Sequence, residues 1–189
     1  MRIISGKLKG TKLFLPTDNS TRPLKDMVKE SIFNLLNHSN KLSFNIKDSV
    51  ILDLFSGIGS FGLECLSREA KKVTFVENNP NALKILYKNI NKLNLKDKSL
   101  VIENSVMNFF FKVKNFSKKN NLIFLDPPYK EKNLVEIIQN IKIKKLLDSN
   151  GVIIMHRKKG SNDDLSKEFN IIEKKSYGIS EILFGNLIS

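Results

Sequence analysis

Asp126-Pro127-Pro128-Tyr129 sets a carboxylate, a stiff backbone and an aromatic ring side by side, just after the apolar run Leu122-Ile123-Phe124-Leu125. Two consecutive prolines fix φ and supply no N–H, so the chain leaves the run as an extended turn. Such a turn can grip a planar base that carries an exocyclic amine. The Asp126 carboxylate and the Pro127 carbonyl can accept its two N–H bonds, while Pro128 and the Tyr129 ring contact its face. Asp-Pro is also ordinary turn chemistry, so the motif gains meaning only with a partner.

The partner lies upstream, in Asp53-Leu54-Phe55-Ser56-Gly57-Ile58-Gly59-Ser60-Phe61-Gly62. It reads as a strand end, a glycine turn and a helix start. Gly57, Gly59 and Gly62 match the dinucleotide fingerprint, with Glu77 following at the end of the next strand. A dinucleotide would lay its pyrophosphate over the glycines, where the Asp53 carboxylate repels it. S-adenosylmethionine has no phosphate and carries an ammonium and a sulfonium, which an acidic residue suits. Glu77 can bond ribose hydroxyls in either case. Asp53 favours the methyl donor, and a methyl donor beside an amine-gripping turn predicts amino-group methylation. Neither paired general acids nor a metal-ligand cluster competes, since His38 and His156 lie far apart in sequence.

The elements that must hold these residues alternate. Residues 50–55, 72–77, 100–103, 122–126 and 152–156 read as strands. Residues 60–68, 80–93, 105–115 and 133–147 read as the intervening helices. A short helix near 162–168 and strands near 169–177 and 180–187 complete the chain. This pattern predicts an α/β fold with a mostly parallel sheet, and ligands at the carboxyl ends of its strands, where Asp53, Glu77 and Asp126 fall.

Ahead of that unit, residues 2–15 alternate around Gly6 and Gly10 as two short strands. Thr21-Arg22-Pro23 then opens a helix with an apolar stripe of Val28, Ile32, Leu35 and Leu36, and Phe33 beside it. Arg22, Lys25 and Lys29 fall off the stripe, on a face either solvated or turned to phosphate. Residues 1–47 are therefore expected as a basic extension, and residues 48–189 as the main domain.

The 189 residues carry a net charge of +13, which points to a polyanionic partner. Arg2, Lys7, Lys9 and Lys12 meet no acidic residue before Asp18, so the extension is the candidate nucleic-acid surface. No apolar run approaches the ~20 residues of a membrane span, and the first residues lack a signal-peptide core. The single Cys65 excludes an internal disulfide, fits a reducing cytoplasm and reads as a small buried side chain.

The motifs resemble those of the bacterial RsmD family, guanine-N2 methyltransferases of small-subunit ribosomal RNA. The match runs through Arg2-Ile3-Ile4-x-Gly6, Arg22-Pro23, Lys29-Glu30-x-x-Phe33-Asn34 and the Asp53 stretch as far as Glu64. It continues through Ser67-Arg68, Phe75-Val76-Glu77, Leu125-Asp126-Pro127-Pro128-Tyr129, His156 and Tyr177-Gly178. The resemblance implies a Rossmann-like class I methyltransferase fold of seven strands with the last antiparallel, and an N-terminal β-hairpin and helix extension. It also implies a 16S RNA substrate within the 30S particle, at guanine 966; S-adenosylmethionine as cofactor, no metal and a monomer are expected beside it. Met27 stands where the family pattern has arginine, and Met155 where it has glutamate. Ser105, with Asn104 beside it, replaces an acidic residue that would face the cofactor's adenine. Another RNA base or a DNA adenine remains the rival substrate.

Overall fold

Among residues 1–17, 24–42, 44–113, 119–161 and 164–188, which the computed structural model describes, seven strands form one sheet. In chain order the elements are α1 (Asp26–His38), β1 (Val50–Leu54), α2 (Ser60–Ser67), β2 (Lys72–Glu77), α3 (Pro80–Lys92) and β3 (Ser99–Glu103). Then come α4 (Val106–Lys112), β4 (Asn120–Leu125), α5 (Leu134–Ile143), β5 (Leu147–Lys158), β6 (Phe169–Tyr177) and β7 (Ser180–Leu187). A single 3-10 turn, Lys96–Lys98, leads into β3. The sheet order is β3-β2-β1-β4-β5-β7-β6. β7 runs antiparallel to both its neighbours, and the other pairings are parallel.

Period-two alternation in the strands divides the core between the two faces of this sheet. Ile51, Phe75, Leu122, Phe124 and Ile154 pack with residues of α1, α2 and α3. Leu52, Leu54, Val76, Ile123, Leu125 and Ile153 pack with α4 and α5. Asp53, Glu77 and Asp126 share parity with the first set, so all three carboxylates belong to one face. β1 lies between β2 and β4, where the strand order reverses, which is the usual place for a ligand crevice in an open α/β sheet.

Local chemistry sets the helix starts. Asn79 caps α3, its side chain accepting from the N–H groups of Asn81 (2.9 Å) and Ala82 (3.1 Å), and Pro80 follows at the first position. Ser105 caps α4 by accepting from Asn108 N–H at 3.2 Å.

Several sequence expectations are corrected. The first helix begins at Asp26, not beside Pro23; Lys25 occupies its cap without a side-chain cap bond. Thr21, Arg22 and Pro23 lie outside the described residues. Lys29, expected on a solvated or phosphate-facing side, is fully buried. The expected strands in residues 2–15 reduce to two arms joined by one bridge, Arg2 with Lys12. Hydrogen bonds from Ile3 N–H to the Thr11 carbonyl and from Gly10 N–H to the Ile3 carbonyl, each 2.9 Å, hold the arms together. The helix expected to reach residue 147 ends at Ile143, because Lys145 adopts a left-handed conformation (φ 51°) that stops it. β5 consequently begins at Leu147. Residues 164–168 form a turn closed by Glu168 and Phe169 N–H groups on the Leu165 carbonyl, not a helix; residues 162 and 163 lie outside the described set.

The N-terminal arm is bolted to α2. Glu64, fully buried, accepts from the N–H groups of Ile4 (2.7 Å) and Ser5 (2.9 Å) and from Arg68 Nε (2.9 Å). Lys29 Nζ donates to the Arg2 carbonyl at 2.8 Å and to Ser60 Oγ at 3.3 Å, and lies 3.7 Å from both Glu64 and Asp26. Gly6 has φ +82°, and a Cβ there would stand 2.0 Å from the Ser67 carbonyl oxygen. Only glycine fits so close a backbone crossing. On the other arm, Asn89 accepts from Phe14 N–H at 2.7 Å and donates to the Ile58 carbonyl at 3.2 Å, tying arm, α3 and glycine turn together.

Candidate active site

A cavity of about 670 Å³ opens over the carboxyl ends of β1, β2 and β4. Asp53, Phe55, Gly57, Glu77, Asp126, Pro127, Pro128 and Tyr129 all line it, together with Phe61, Phe124 and Lys130. The two motifs 73 residues apart are thus brought to one space by the β1–β4 pairing, in which Asp53 stands beside Phe124. A second cavity of about 190 Å³ shares Phe55, Glu77, Asn78 and Pro128 with the first. Asn104 and Ser105 line it, so the pair that stands where the family pattern has an acidic residue lies beside the site.

Glu77 does more than face the cavity. Its Oε2 accepts from Gly57 N–H at 2.7 Å, and its Oε1 accepts from Asn78 and Asn79 N–H groups, each at 2.8 Å. The carboxylate therefore stitches the glycine turn to the start of α3. That stitch helps hold Phe55, which lines both cavities, at φ 61°, a conformation unfavourable for a bulky side chain. Ser56 adds a backbone bond to the Val76 carbonyl at 3.0 Å.

The glycines divide by role. Gly59 (φ +81°) is the cap of α2, and a Cβ there would stand 2.4 Å from Leu86 Cδ1. Gly62 packs α2 against β2, since a Cβ would meet Phe75 Cε1 at 2.4 Å. Gly59 and Gly62 are absent from the residues lining either cavity. A Cβ at Gly57 would meet nothing within 4 Å, so space over this residue is open to a ligand.

Asp53 is 1% exposed, and its Oδ2 accepts from Gly62 N–H at 3.0 Å. Burial pushes its carboxyl well above the ordinary carboxylate range. The nearby charges of Asp126 and Glu77 add to the rise, and the Gly62 bond opposes it. A cation in the cavity would relieve that strain.

On the far side, Asp126 Oδ1 lies 2.8 Å from Nδ1 of His156. Register brings them together: Leu125 pairs with Met155, so the next residue of each strand stands side by side. The sequence carried both residues, but their partnership needed the β4–β5 register. Tyr129 is half-buried, its hydroxyl 3.2 Å from Ser180 Oγ and its ring edge-on to His156. Beneath the cavity, Phe33, Phe61 and Phe124 stack in sequence, with centroid spacings of 5.2 and 3.9 Å.

The candidate nucleic-acid residues Arg2, Lys7, Lys9, Lys12 and Lys25 are all exposed. Lys7 is paired with Glu69 at 2.7 Å. Arg22 lies outside the described residues.

This strand order, the single reversed strand and the cavity at the β1 switch point define the class I methyltransferase fold. A family model described as Conserved hypothetical protein 95 matches residues 1–186, and the chain belongs to that family, the RsmD family. The chain is similar to Ribosomal RNA small subunit methyltransferase D of Haemophilus influenzae, with 31% identity over 179 residues, covering 95% of this chain and 90% of that one. Among solved structures, the Escherichia coli yhhF protein superposes with a TM-score of 0.81 at 27% identity, covering 98% of this chain and 96% of that one. A ribosomal protein L11 methylase of Lactobacillus delbrueckii shares the fold alone, with a TM-score of 0.63 at 15% identity over 83% of this chain and 76% of that one.

Proposed function

We propose that this protein methylates the exocyclic N2 of one guanine in 16S ribosomal RNA, guanine 966 by the family pattern, acting as a cytoplasmic monomer on the 30S particle. The observation that carries the reading is the single cavity shared by the Asp126 turn, Asp53 and Glu77. The names of the relatives supply the ribosomal RNA substrate.

The cavity suits S-adenosylmethionine, because its buried carboxylate is stabilised by a cation and repels a phosphate. When bound, that cofactor supplies a methyl group on a sulfonium. Asp53 would hold the ammonium end and Glu77 the ribose hydroxyls. Phe55, Gly57, Gly59 and Gly62 shape the turn between them, and Asn104 and Ser105 would meet the adenine end. A guanine amine is a poor nucleophile, because its lone pair is delocalised into the ring. Asp126 and the Pro127 carbonyl accept its two N–H bonds, which favours the pyramidal form and stabilises positive charge developing on nitrogen. Pro128 and Tyr129 hold the base by its face. Orientation would contribute the rest, and the methylated nitrogen, acidic as an ammonium, would then lose one proton readily, so Asp126 need not be a strong base.

Supplying labelled cofactor with naked 16S RNA, with 30S particles lacking the modification, and with DNA tests the proposal. Label is expected in the ribosomal substrates. Label in DNA alone would contradict it.

Two further results are expected. The ammonium favours ionised Asp53, so below the raised pKa of the empty site binding must release a proton. Affinity should therefore rise with pH, by at most about tenfold per unit, and level off above that pKa. Calorimetry in buffers of different ionisation enthalpy counts the proton. Asp53→Asn should bind weakly without the slope, and affinity that rises on acidification would contradict the assignment.

Residues 1–47 form the RNA-contacting extension, with Arg2, Lys9, Lys12, Arg22 and Lys25 as its cations and Lys7 reduced by its pairing with Glu69. Each lost phosphate contact lowers the salt slope by roughly one. Lys9→Glu combined with Lys12→Glu should weaken RNA binding and lower the slope by about two, leaving cofactor affinity unchanged. An unchanged slope would leave the arm a purely structural role.

A further inference from the structure

The turn after β4 is held from outside by side chains of β5 and β7. Arg157 Nη2 donates to the Glu131 carbonyl at 3.3 Å, and Ser180 Oγ lies 3.2 Å from the Tyr129 hydroxyl. His156 reaches the carboxylate itself, with Nδ1 2.8 Å from Asp126 Oδ1. The imidazole side chain is 4% exposed against 14% for Asp126, so the contact is made from the interior.

The proton on the imidazole can be assigned from its surroundings. Nδ1 faces a carboxylate, an acceptor. Nε2 is buried with no hydrogen-bond partner, so a proton there would leave a donor unsatisfied. The neutral tautomer with Nδ1–H is the one that fits, and it donates to Asp126. The terminal torsion of an aspartate has a broad, two-fold well, which a directed hydrogen bond narrows. The ring is carried by β5, which is paired on both sides by β4 and β7. It therefore ties the rotation of the carboxylate plane to the rigid sheet.

We propose that His156 is a positioning residue, whose Nδ1–H fixes the plane of the Asp126 carboxylate so that it meets the target amine in productive orientation. The proposal rests on the reading of Asp126 as the amine acceptor. His156 itself touches neither base nor cofactor in this scheme. Its loss should therefore lower the rate of the bound complex and leave binding of RNA and cofactor unchanged.

The test compares His156→Asn and His156→Gln with the wild-type enzyme in single-turnover methyl transfer to RNA, with melting curves alongside. Asparagine carries its amide nitrogen at the δ position and can still donate to Asp126. Glutamine carries it one bond further out, near Nε2. His156→Gln is expected to lose up to about 10²-fold in single-turnover rate, the scale of an ångström-level misplacement. KM for RNA and cofactor affinity should stay within about twofold. His156→Asn should recover most of the rate. In an Asp126→Ala background, His156→Gln should cost no more than about twofold, since the two act through one contact.

Equal losses in both His156 variants that follow only their melting temperatures would overturn the proposal, as would full multiplication of the two defects in the double variant. His156→Gln with an undiminished rate would overturn it alone, leaving the amine-acceptor reading intact. A folded wild-type enzyme that methylates no amino group in RNA or DNA would overturn that reading, and the proposal with it.

Discussion

Asp126→Ala is expected to slow single-turnover methyl transfer by ~10²–10³, the usual cost of removing one group tuned to transition-state charge. The fold should survive, because Asp126 lines the cavity and the β4–β5 core is apolar. Tyr129→Ala removes a stacking face worth roughly 1–3 kcal/mol. Tyr129→Phe keeps the ring and gives up the hydroxyl with its contact to Ser180. The rates should rank wild type, Tyr129→Phe, Tyr129→Ala, with Asp126→Ala near the bottom. Stopped time courses beside a thermal melt of each variant check this. Activities that fall only in step with melting temperature would reduce the turn to a structural role.

Glu64→Ala is expected to be the most damaging change outside the cavity. Its carboxylate is fully buried among Lys29, Arg68 and the N–H groups of Ile4 and Ser5. Removing one member of such a buried charged cluster costs about 3–5 kcal/mol, because the remaining charge and donors stay buried without it. For a chain of this size, that corresponds to a fall in melting temperature of about 6–20 °C. Glu64→Gln retains an oxygen for the arm and should fall between. Proteolysis should cut the N-terminal arm first in the alanine variant. A melt within a degree or two of wild type, with the arm still protected, would mean that the arm docks without Glu64, through Ile3, Leu13 and its bonds to Lys29 and Asn89.

Much of this architecture is legible in the chain because two signals agree. An apolar run with an acidic residue at or next to its end marks β1 and β2, and the next residue after β4 is Asp126, so the carboxyl-end carboxylates could be located before any topology was known. The spans of β2, β6 and β7 follow the sequence pattern closely. The start of β5 does not, since Asp148-Ser149-Asn150 is poor strand material and joins the sheet through a register shift beside Asn120. Lys29 illustrates a different blindness. Helical periodicity treats a lysine as solvent-facing, and its burial is made tolerable by partners that periodicity does not reveal, among them the Arg2 carbonyl and Glu64, thirty-five positions on. Residues such as Gly6, Lys29, Glu64 and Ser67, which carry much of the family resemblance, serve here to dock the arm. His156 stayed unassigned for the same reason, since no sequence spacing reveals a partner on an adjacent strand.

The nucleoside that receives the methyl group tests the central claim most directly. Small-subunit RNA, or particles lacking the modification, would be incubated with the enzyme and labelled S-adenosylmethionine, digested to nucleosides and resolved by mass spectrometry. The account predicts label in N2-methylguanosine, appearing ~10²–10³-fold more slowly with Asp126→Ala. Label in N6-methyladenosine, or on a ring carbon or a ribose oxygen, would contradict it.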